Sequence, residues 1–138
     1  MMHEHFMQLA LDEAERAFRE EEVPIGAVVV HEGRVIAAAH NQREQLHDPT
    51  AHAEMIAITS ASNFLGAKYL TGCTLFVTLE PCVMCAAALK WAQLDRVVFG
   101  APDPREGFSR LELSILHEKT VVVSGIMAEE SSRLLKLF

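Results

Sequence analysis

The chain has 138 residues with a formal net charge of −7, and 50% of them are hydrophobic while 22% are charged. This length and composition fit a single domain with a substantial core over residues 1–138 and exclude wholesale disorder. No apolar run reaches the roughly 18 residues that a membrane-spanning helix needs, which excludes an integral membrane protein built from such helices.

The first predicted element is an amphipathic helix over residues 5–21, and it carries much of the negative charge. Residues 1–22 hold seven acidic residues and two arginines, a balance of −5, whereas the rest of the chain has a balance of −2. Proteins that bind phosphates normally present a basic surface, so the overall charge opposes a nucleic-acid partner. Because the acidity is concentrated in one segment, which we expect to be the solvated face of the helix, the net charge does not decide the partner.

A hairpin and a second helix follow. The run from Val23 to Val30 is mostly apolar and β-branched, and a similar run from Val35 to Ala39 resumes after a turn at residues 31–34 that contains a glycine. This pattern predicts two antiparallel strands. A polar loop over residues 41–49 then leads into a helix that we expect to begin near His52.

The second half of the chain alternates apolar, β-branched runs with longer helical patterns. Helices that alternate with buried strands pack on both faces of a sheet, so we expect an α/β protein with three α/β/α layers and a five-stranded sheet. The predicted strands are 74–79, 96–100 and 120–124, the helices are 82–92 and 128–137, a further short helix is expected near 111–116, and 101–110 is a loop.

The cysteines and the first residues indicate a compartment. Three cysteines cannot all pair within the chain, and two of them form a Cys82-x-x-Cys85 pattern. The segment from Met1 to His5 has neither the basic start nor the apolar stretch of a secretory signal. We therefore expect a cytoplasmic protein whose thiols bind a metal or do redox chemistry.

Two short motifs lie at the starts of predicted helices. His52-Ala53-Glu54 opens the second helix, and Cys82 and Cys85 open the third, directly after a proline. The two cysteines are three residues apart, so they project from the same helix face. In a first helical turn, unpaired N–H groups and the helix dipole favour thiolates. Two thiolates and one imidazole supply three of the four positions that zinc prefers.

Taken alone, the Cys-x-x-Cys pattern fits a redox pair or half of a structural zinc site as well as it fits a catalytic zinc site. A structural site needs a fourth protein ligand, for which Cys73 is the obvious candidate and His47 a weaker one. A strand over 74–79 would carry the chain roughly 20 Å, at about 3.3 Å per residue, and would place Cys73 at the opposite end from Cys82. We therefore expect Cys73 in the core and a fourth zinc position open to water.

Glu54 is the predicted catalytic acid and base. It lies two residues from His52, so its side chain points in a different direction and is free to hydrogen-bond a water instead of the metal. Zinc can lower the pKa of a bound water from 15.7 toward about 7, and a neighbouring carboxylate is a ready proton shuttle. The alternative, a solvated acid at a helix start, is common for a lone glutamate but leaves the combination of motifs unexplained.

The two motifs together match the H-x-E and P-C-x-x-C signature of the zinc-dependent cytidine and adenosine deaminase superfamily. The resemblance covers nearly the whole chain, and its longer runs are similar to the bacterial tRNA-specific adenosine deaminases. It implies a cytidine deaminase-like fold with a mixed five-stranded sheet and one Zn²⁺ per subunit. The runs that carry it are residues 23–30, Asn41, residues 47–55, residues 77–86 and residues 97–101.

The resemblance also implies a reaction, the conversion of the wobble adenosine in a tRNA anticodon to inosine. It assigns His52, Cys82 and Cys85 to the zinc, which presents hydroxide to C6 of adenine. Glu54 then takes the water's proton, passes it to N1 and protonates the departing amine, so that inosine and ammonia are formed. The implied partner is a tRNA anticodon stem-loop.

Substrate-binding roles follow from the same resemblance. Asn41 is expected to hydrogen-bond the target base, and the backbone at Ala53 to help place the base and its amine. Ile25 matches a position that lines the base pocket, although a core strand residue fits its pattern equally well.

The loop after the fourth strand is expected to contact the RNA. Asp103 and Arg105 match a family pattern in which an aspartate and a basic residue, two positions apart, face the flanking nucleotides. Arg105, Phe108 and Arg110 offer two cations and a ring for stacking, as proteins that grip single-stranded loops do. The alternative is a solvated loop anchored by one phenylalanine.

The third helix is apolar nearly all round, which predicts that it is buried inside the domain or half-covered by another subunit. The family is homodimeric, so we expect a homodimer. Two other functions remain open. A deaminase of free nucleobases or nucleosides, such as guanine or cytosine deaminase, would explain the acidic charge. A non-catalytic, zinc-containing RNA-binding subunit would have no chemical need for Glu54.

Overall fold

The structure, a computed structural model, describes residues 2–138. No helix among these residues is long and apolar enough to cross a membrane. The helices are α1 (His3–Arg19), α2 (Ala53–Leu65), α3 (Val83–Ala92) and α4 (Ala128–Leu137), and the strands are β1 (Gly26–His31), β2 (Arg34–His40), β3 (Cys73–Leu79), β4 (Arg96–Ala101) and β5 (Val121–Val123).

The five strands form one mixed sheet in the order β2-β1-β3-β4-β5. Strand β1 pairs antiparallel with both β2 and β3, whereas β3, β4 and β5 run parallel. The short hairpin turn makes β1 and β2 antiparallel neighbours, and the parallel strands β3 and β4 are connected by α3. The predicted three-layer α/β/α fold with a mixed five-stranded sheet is confirmed.

Helices cover both faces of the sheet. Successive strand residues point to opposite faces, so the core consists of two hydrophobic clusters, one on each side. In β1, Ala27 and Val29 join the cluster that α2 and α3 cover, while Val28 and Val30 join the cluster under α1. Helix α4 packs on β4 and contacts α1, on the same face of the sheet as α1. The central strands are therefore buried on both sides, which explains their nearly continuous apolar runs.

The short helix expected near residues 111–116 is not formed. A 3₁₀ turn at Phe108–Arg110 takes its place, and the chain then runs without regular structure to β5. The apolar residues of this stretch alternate in a period of two, so they cannot line one side of a helix. Ile115 and Leu116 pack on the core, whereas Leu113 is 72% exposed.

The acidic segment is only partly solvated: Glu13 is half-buried and Glu22 is buried, so that expectation is wrong for these two, while Glu20 is exposed but pairs with a buried histidine. The buried ring of His40 has Nδ1 3.2 Å from a Glu13 oxygen and Nε2 2.8 Å from a Glu20 oxygen. Glu22 is buried and accepts the backbone N–H groups of Glu44 and Gln45 at 3.1 and 2.8 Å. These acids tie α1 and the segment after it to the end of β2 and to the following loop.

Gly26 allows α1 to approach β1 closely. A Cβ at this position would lie 2.5 Å from the backbone nitrogen of Ala14 and would also overlap the carbonyl oxygen of Ala10. Gly26→Ala is therefore expected to lower the free energy of unfolding by about 3 kcal/mol, because backbone atoms cannot move aside as a flexible side chain can. Urea unfolding measures this change.

Gly66→Ala is the matched control for this prediction. Gly66 has a φ of 65°, but a Cβ there would meet nothing within 4 Å. Only the left-handed backbone conformation is penalised, by about 1 kcal/mol. Equal losses in the two variants would contradict the close packing of α1 on Gly26.

Candidate metal and catalytic site

The three predicted metal ligands meet where two helices begin. His52 is the N-cap of α2 and Cys82 the N-cap of α3, and both have extended backbone conformations. Cys85 lies in the first turn of α3 and is buried. Because the segment after β3 leads directly into α3, the site lies beyond the carboxyl end of β3, the edge where open α/β sheets commonly bind ligands.

The spacing of these three side chains fits one zinc ion. Nδ1 of His52 lies 3.4 Å from the Cys85 sulfur and 3.8 Å from the Cys82 sulfur. Tetrahedral zinc, with bonds of about 2.1 Å to nitrogen and 2.3 Å to sulfur, requires a nitrogen–sulfur separation of about 3.6 Å. Among residues 2–138, these are the side chains grouped closely enough to hold a metal ion, with all ligand atoms within 4.8 Å of one another.

The metal-free site already favours a thiolate. A hydrogen bond from the Cys85 thiol lowers the pKa of Cys82 to about 4, with His52 contributing in the same direction. Donation to Cys82, together with burial, raises the pKa of Cys85 well above its usual range. The hydrogen bond with Cys82 raises the pKa of His52. Zinc must therefore compete with protons at Cys85 and at His52, because the pKa of each group is raised when no metal is bound.

Zinc binding is accordingly expected to release about one proton per chain near neutral pH, or more, because Cys85 must become a thiolate to bind the metal. Lower pH favours the protonated thiol and hence the metal-free protein, so apparent zinc affinity should rise about tenfold per pH unit for each proton released. Competition against a zinc chelator of known affinity at several pH values measures this slope. An affinity that is independent of pH would contradict the thiol assignment.

Glu54 lies in the first turn of α2 and is 4% exposed. Burial raises its pKa to about 7, opposed by a hydrogen bond from its own backbone and by the charge of His52. A carboxyl group with a pKa near the working pH can both take and return a proton. The structure thus places Glu54 beside the three ligands.

Three of the predicted substrate-binding residues form one hydrogen-bonded unit next to this site. The buried Asn41 side-chain oxygen accepts the backbone N–H of Ala53 at 2.8 Å. The backbone N–H of Asn41 in turn donates to the carbonyl of Ile25 at 3.1 Å. Ile25 is half-buried, just before β1, and packs against the core. Because the Ala53 N–H is occupied by Asn41, the side-chain NH₂ of Asn41 is the group of this pair that can donate to a ligand.

The two rival metal ligands lie elsewhere. Cys73 is fully buried at the start of β3, in the same core cluster as Leu75 and Val77, as the strand length predicts. Burial raises the pKa of its thiol. His47 is exposed, with a φ of 50°, in the loop before α2. Neither belongs to the group of residues that can hold a metal.

The predicted RNA-contact loop lies against the segment that leads into α3. Asp103 is half-buried, and its side chain accepts the backbone N–H groups of Arg105 and Glu106 at 3.0 and 3.1 Å, so it shapes the turn. Arg105 is exposed. The ring of Phe108 packs edge-on against Phe99, with centroids 6.2 Å apart, and so anchors the loop to the core.

Sequence reasoning missed Glu80, whose buried side chain contacts this loop. Its two oxygens accept the backbone N–H groups of Asp103 and Ser109, each at 2.9 Å. The signal in the sequence is weak: a glutamate directly after a buried strand and before a proline. A single acid in that place is equally consistent with a solvated strand end.

Comparison with known proteins shows what this chain is similar to. The family model described as the cytidine and deoxycytidylate deaminase zinc-binding region matches residues 1–101. A tRNA-specific adenosine deaminase of Aquifex aeolicus (strain VF5) is 48% identical over 139 aligned positions, which cover 98% of this chain and 92% of the relative.

Two solved structures are similar as well. One comes from biochemical and structural studies of A-to-I editing by tRNA:A34 deaminases at the wobble position of transfer RNA. It superposes on this chain with a TM-score of 0.87 and 45% sequence identity, over 94% of this chain and 98% of that chain. A guanine deaminase from Bacillus subtilis superposes with a TM-score of 0.71 and 39% identity, over 74% of this chain and 66% of that one.

Proposed function

This chain belongs to the zinc-dependent cytidine and deoxycytidylate deaminase family, and from that premise we propose that it hydrolyses the wobble adenosine of a tRNA anticodon loop to inosine and ammonia. The observation that carries this proposal is the His52, Cys82 and Cys85 group with Glu54 beside it, in a chain 48% identical to a tRNA-specific adenosine deaminase. Residues 1–138 would act as one deaminase domain.

The proton transfers of the proposed reaction belong to Glu54. Zinc, when bound by His52, Cys82 and Cys85, lowers the pKa of water so that a nucleophile is available near neutral pH. Glu54 takes a proton from the attacking water and delivers it to N1 of the adenine ring. It then takes the second proton of that water from the hydroxyl on C6 and passes it to the amine, which leaves as ammonia while the C6 carbonyl of inosine forms. A pKa raised to about 7 by burial suits a group that must hold a proton between these two steps.

The base is proposed to lie against the unit formed by Ile25, Asn41 and Ala53. The Asn41 side chain is buried and fixed by its bond to Ala53, so its NH₂ group is held in one orientation before a base arrives. A preordered donor loses little conformational entropy on binding. Ile25, half-buried beside Asn41, supplies apolar contact to the ring.

Contact with the flanking nucleotides is proposed for the loop over residues 102–110. Arg105 and Arg110 are both exposed there and can approach phosphates. Phe108 is half-buried, and its ring is occupied by Phe99 on one side, so it is proposed to support the loop and offer only its outer edge to RNA. Asp103 acts by shaping the turn that presents Arg105.

We also propose that the protein is a cytoplasmic homodimer. Helices α2 and α3 share one side of the sheet and leave several large apolar side chains uncovered. Trp91 on α3 is 73% exposed and Phe64 on α2 is 69% exposed, with Tyr69 nearby at 44%. Exposed apolar side chains of this size on neighbouring elements are typical of a subunit interface. A second copy of the chain would cover them.

A deaminase of free bases is the second candidate, favoured by the similarity to guanine deaminase over 74% of this chain. The two functions differ in what the loop at 102–110 must do. A free base needs only the pocket beside the zinc, whereas an anticodon loop also needs the exposed cations. Substrate specificity therefore separates the two functions.

The test offers the zinc-loaded protein a choice of substrates. An anticodon stem-loop with adenosine at the wobble position is incubated beside free adenosine, adenine, guanine, cytosine and cytidine, and loss of the amine is scored by mass spectrometry. We expect inosine in the stem-loop and an inert panel. Turnover of a free base with an untouched stem-loop would reject the RNA substrate and establish the second candidate.

A further inference from the structure

Glu80 is a buried carboxylate that the proposed chemistry does not use. It directly follows β3 and precedes Pro81 and the metal-site residue Cys82, and it is 4% exposed. A buried carboxylate must be paired or hydrogen-bonded, because an uncompensated charge in the protein interior is costly. The groups that satisfy Glu80 therefore indicate what it holds in place.

Both oxygens of Glu80 accept hydrogen bonds from the two ends of one loop. Oε1 accepts the backbone N–H of Asp103 at 2.9 Å, and Oε2 accepts that of Ser109 at 2.9 Å. Hydrogen bonds to an ionised acceptor are roughly twice as strong as neutral ones. A single carboxylate thus fixes the loop over 103–109 at both ends.

The interior of this loop packs on the same carboxylate. A Cβ at Gly107 would lie 2.5 Å from Oε1 of Glu80 and 2.5 Å from the carbonyl oxygen of Asp103. The φ of Gly107 is −62°, which any residue can adopt. Glycine is therefore needed at position 107 because both the Glu80 carboxylate and the Asp103 carbonyl approach so closely.

The loop is also joined to the segment that carries a metal ligand. The backbone N–H of Phe108 donates to the carbonyl of Pro81 at 3.0 Å, and Gly107 forms an isolated antiparallel bridge with Cys82. The exposed Arg105 projects from the turn between the two anchored ends. The loop that Glu80 binds therefore lies directly against the segment that carries Cys82, with Arg105 on its outer side.

We infer that Glu80 is a positioning residue, which holds the loop over 103–109 in the shape that contacts RNA beside the target base. The RNA part of this inference rests on the proposed function, whereas the hold on the loop does not. Glu22 is a natural control, because it is also buried and also accepts two backbone N–H groups, but from Glu44 and Gln45 in a different loop.

Hydrogen-exchange mass spectrometry tests the hold on the loop without any substrate. Glu80→Gln keeps the shape of the side chain but replaces one acceptor oxygen with an NH₂ group, which cannot accept either N–H. We expect faster amide exchange over 102–110 and no change over 41–50, with the reverse pattern in Glu22→Gln. Gly107→Ala, whose Cβ would overlap both the Glu80 carboxylate and the Asp103 carbonyl, should also speed amide exchange over 102–110. Unchanged exchange over 102–110 in Glu80→Gln would overturn the inference.

Kinetics on the wobble stem-loop test the RNA part. For Glu80→Gln at full zinc content, we expect KM to rise on the order of tenfold while kcat stays within about twofold. Arg105→Ala should also raise KM, and adding it to Glu80→Gln should raise KM little further, because both act through one loop. An unchanged KM despite faster loop exchange would overturn the positioning role. A wild-type protein inert on the stem-loop would instead reject the proposed function, and the exchange data would still decide whether Glu80 holds the loop.

Discussion

Glu54→Ala is expected to lower the rate of deamination by about a thousandfold or more while zinc and the fold are retained. The residue is buried at the start of α2, two positions after the metal ligand His52. Removing it leaves water without a group to take its proton and the leaving amine without a group to supply one. Single-turnover rates on the wobble stem-loop, with zinc content measured on the same sample, give the size of the effect.

Glu54→Gln is the matched control, because it preserves the size and most of the packing of the side chain but cannot transfer protons. Its loss of rate should equal that of Glu54→Ala. Burial raises the pKa of Glu54 to about 7, so the ionised carboxylate is held there at a cost in stability. Glu54→Gln should therefore melt no lower than the wild type. Substantial turnover in either variant at full zinc content would show that another group moves the protons.

Cys85→Ser has the second large effect, on zinc content and stability together. Metal binding to the folded chain contributes folding free energy, so losing zinc that is present at about 100 times its Kd removes about 3 kcal/mol. For a domain of this size that corresponds to a fall in Tm of about 10 °C. Zinc per chain, measured by inductively coupled plasma mass spectrometry, should fall far below one.

Two comparisons isolate the metal in that experiment. Cys73→Ala removes a buried thiol at the other end of β3 and should keep one zinc per chain, with a smaller loss of stability from the cavity alone. Chelating the zinc from the wild type should bring its Tm close to that of Cys85→Ser. A Cys85→Ser protein that still holds one zinc per chain would refute the three-ligand site.

The metal site could be predicted from sequence because its geometry is mostly local. Cys82 and Cys85 lie within one helical turn, and Glu54 lies two residues from His52, so helix geometry already sets which side chains share a face. One long-range step was needed, the meeting of two helix starts. The family signature supplied that step, and the distances between His52 and the two sulfurs confirm it.

The buried acids could not be predicted in the same way. Glu22 and Glu80 bind N–H groups that are 22 to 29 residues away along the chain, and nothing in the adjacent residues marks these two as different from exposed glutamates. The role of Phe108 depended on the same kind of information, because stacking on RNA and packing on Phe99 require the same residue type. Burial of a polar or aromatic side chain is set by tertiary contacts, which a local pattern does not contain.

Hydrolytic deamination of one adenosine is the central claim, and heavy-oxygen water tests it most directly. The zinc-loaded protein is incubated in H₂¹⁸O with a stem-loop that carries adenosine at the wobble position and at a second loop position. We expect one labelled oxygen in inosine at the wobble position, an unmodified second adenosine and no product from Glu54→Gln. Adenosine that stays intact at the wobble position, or inosine without the label, would contradict the account.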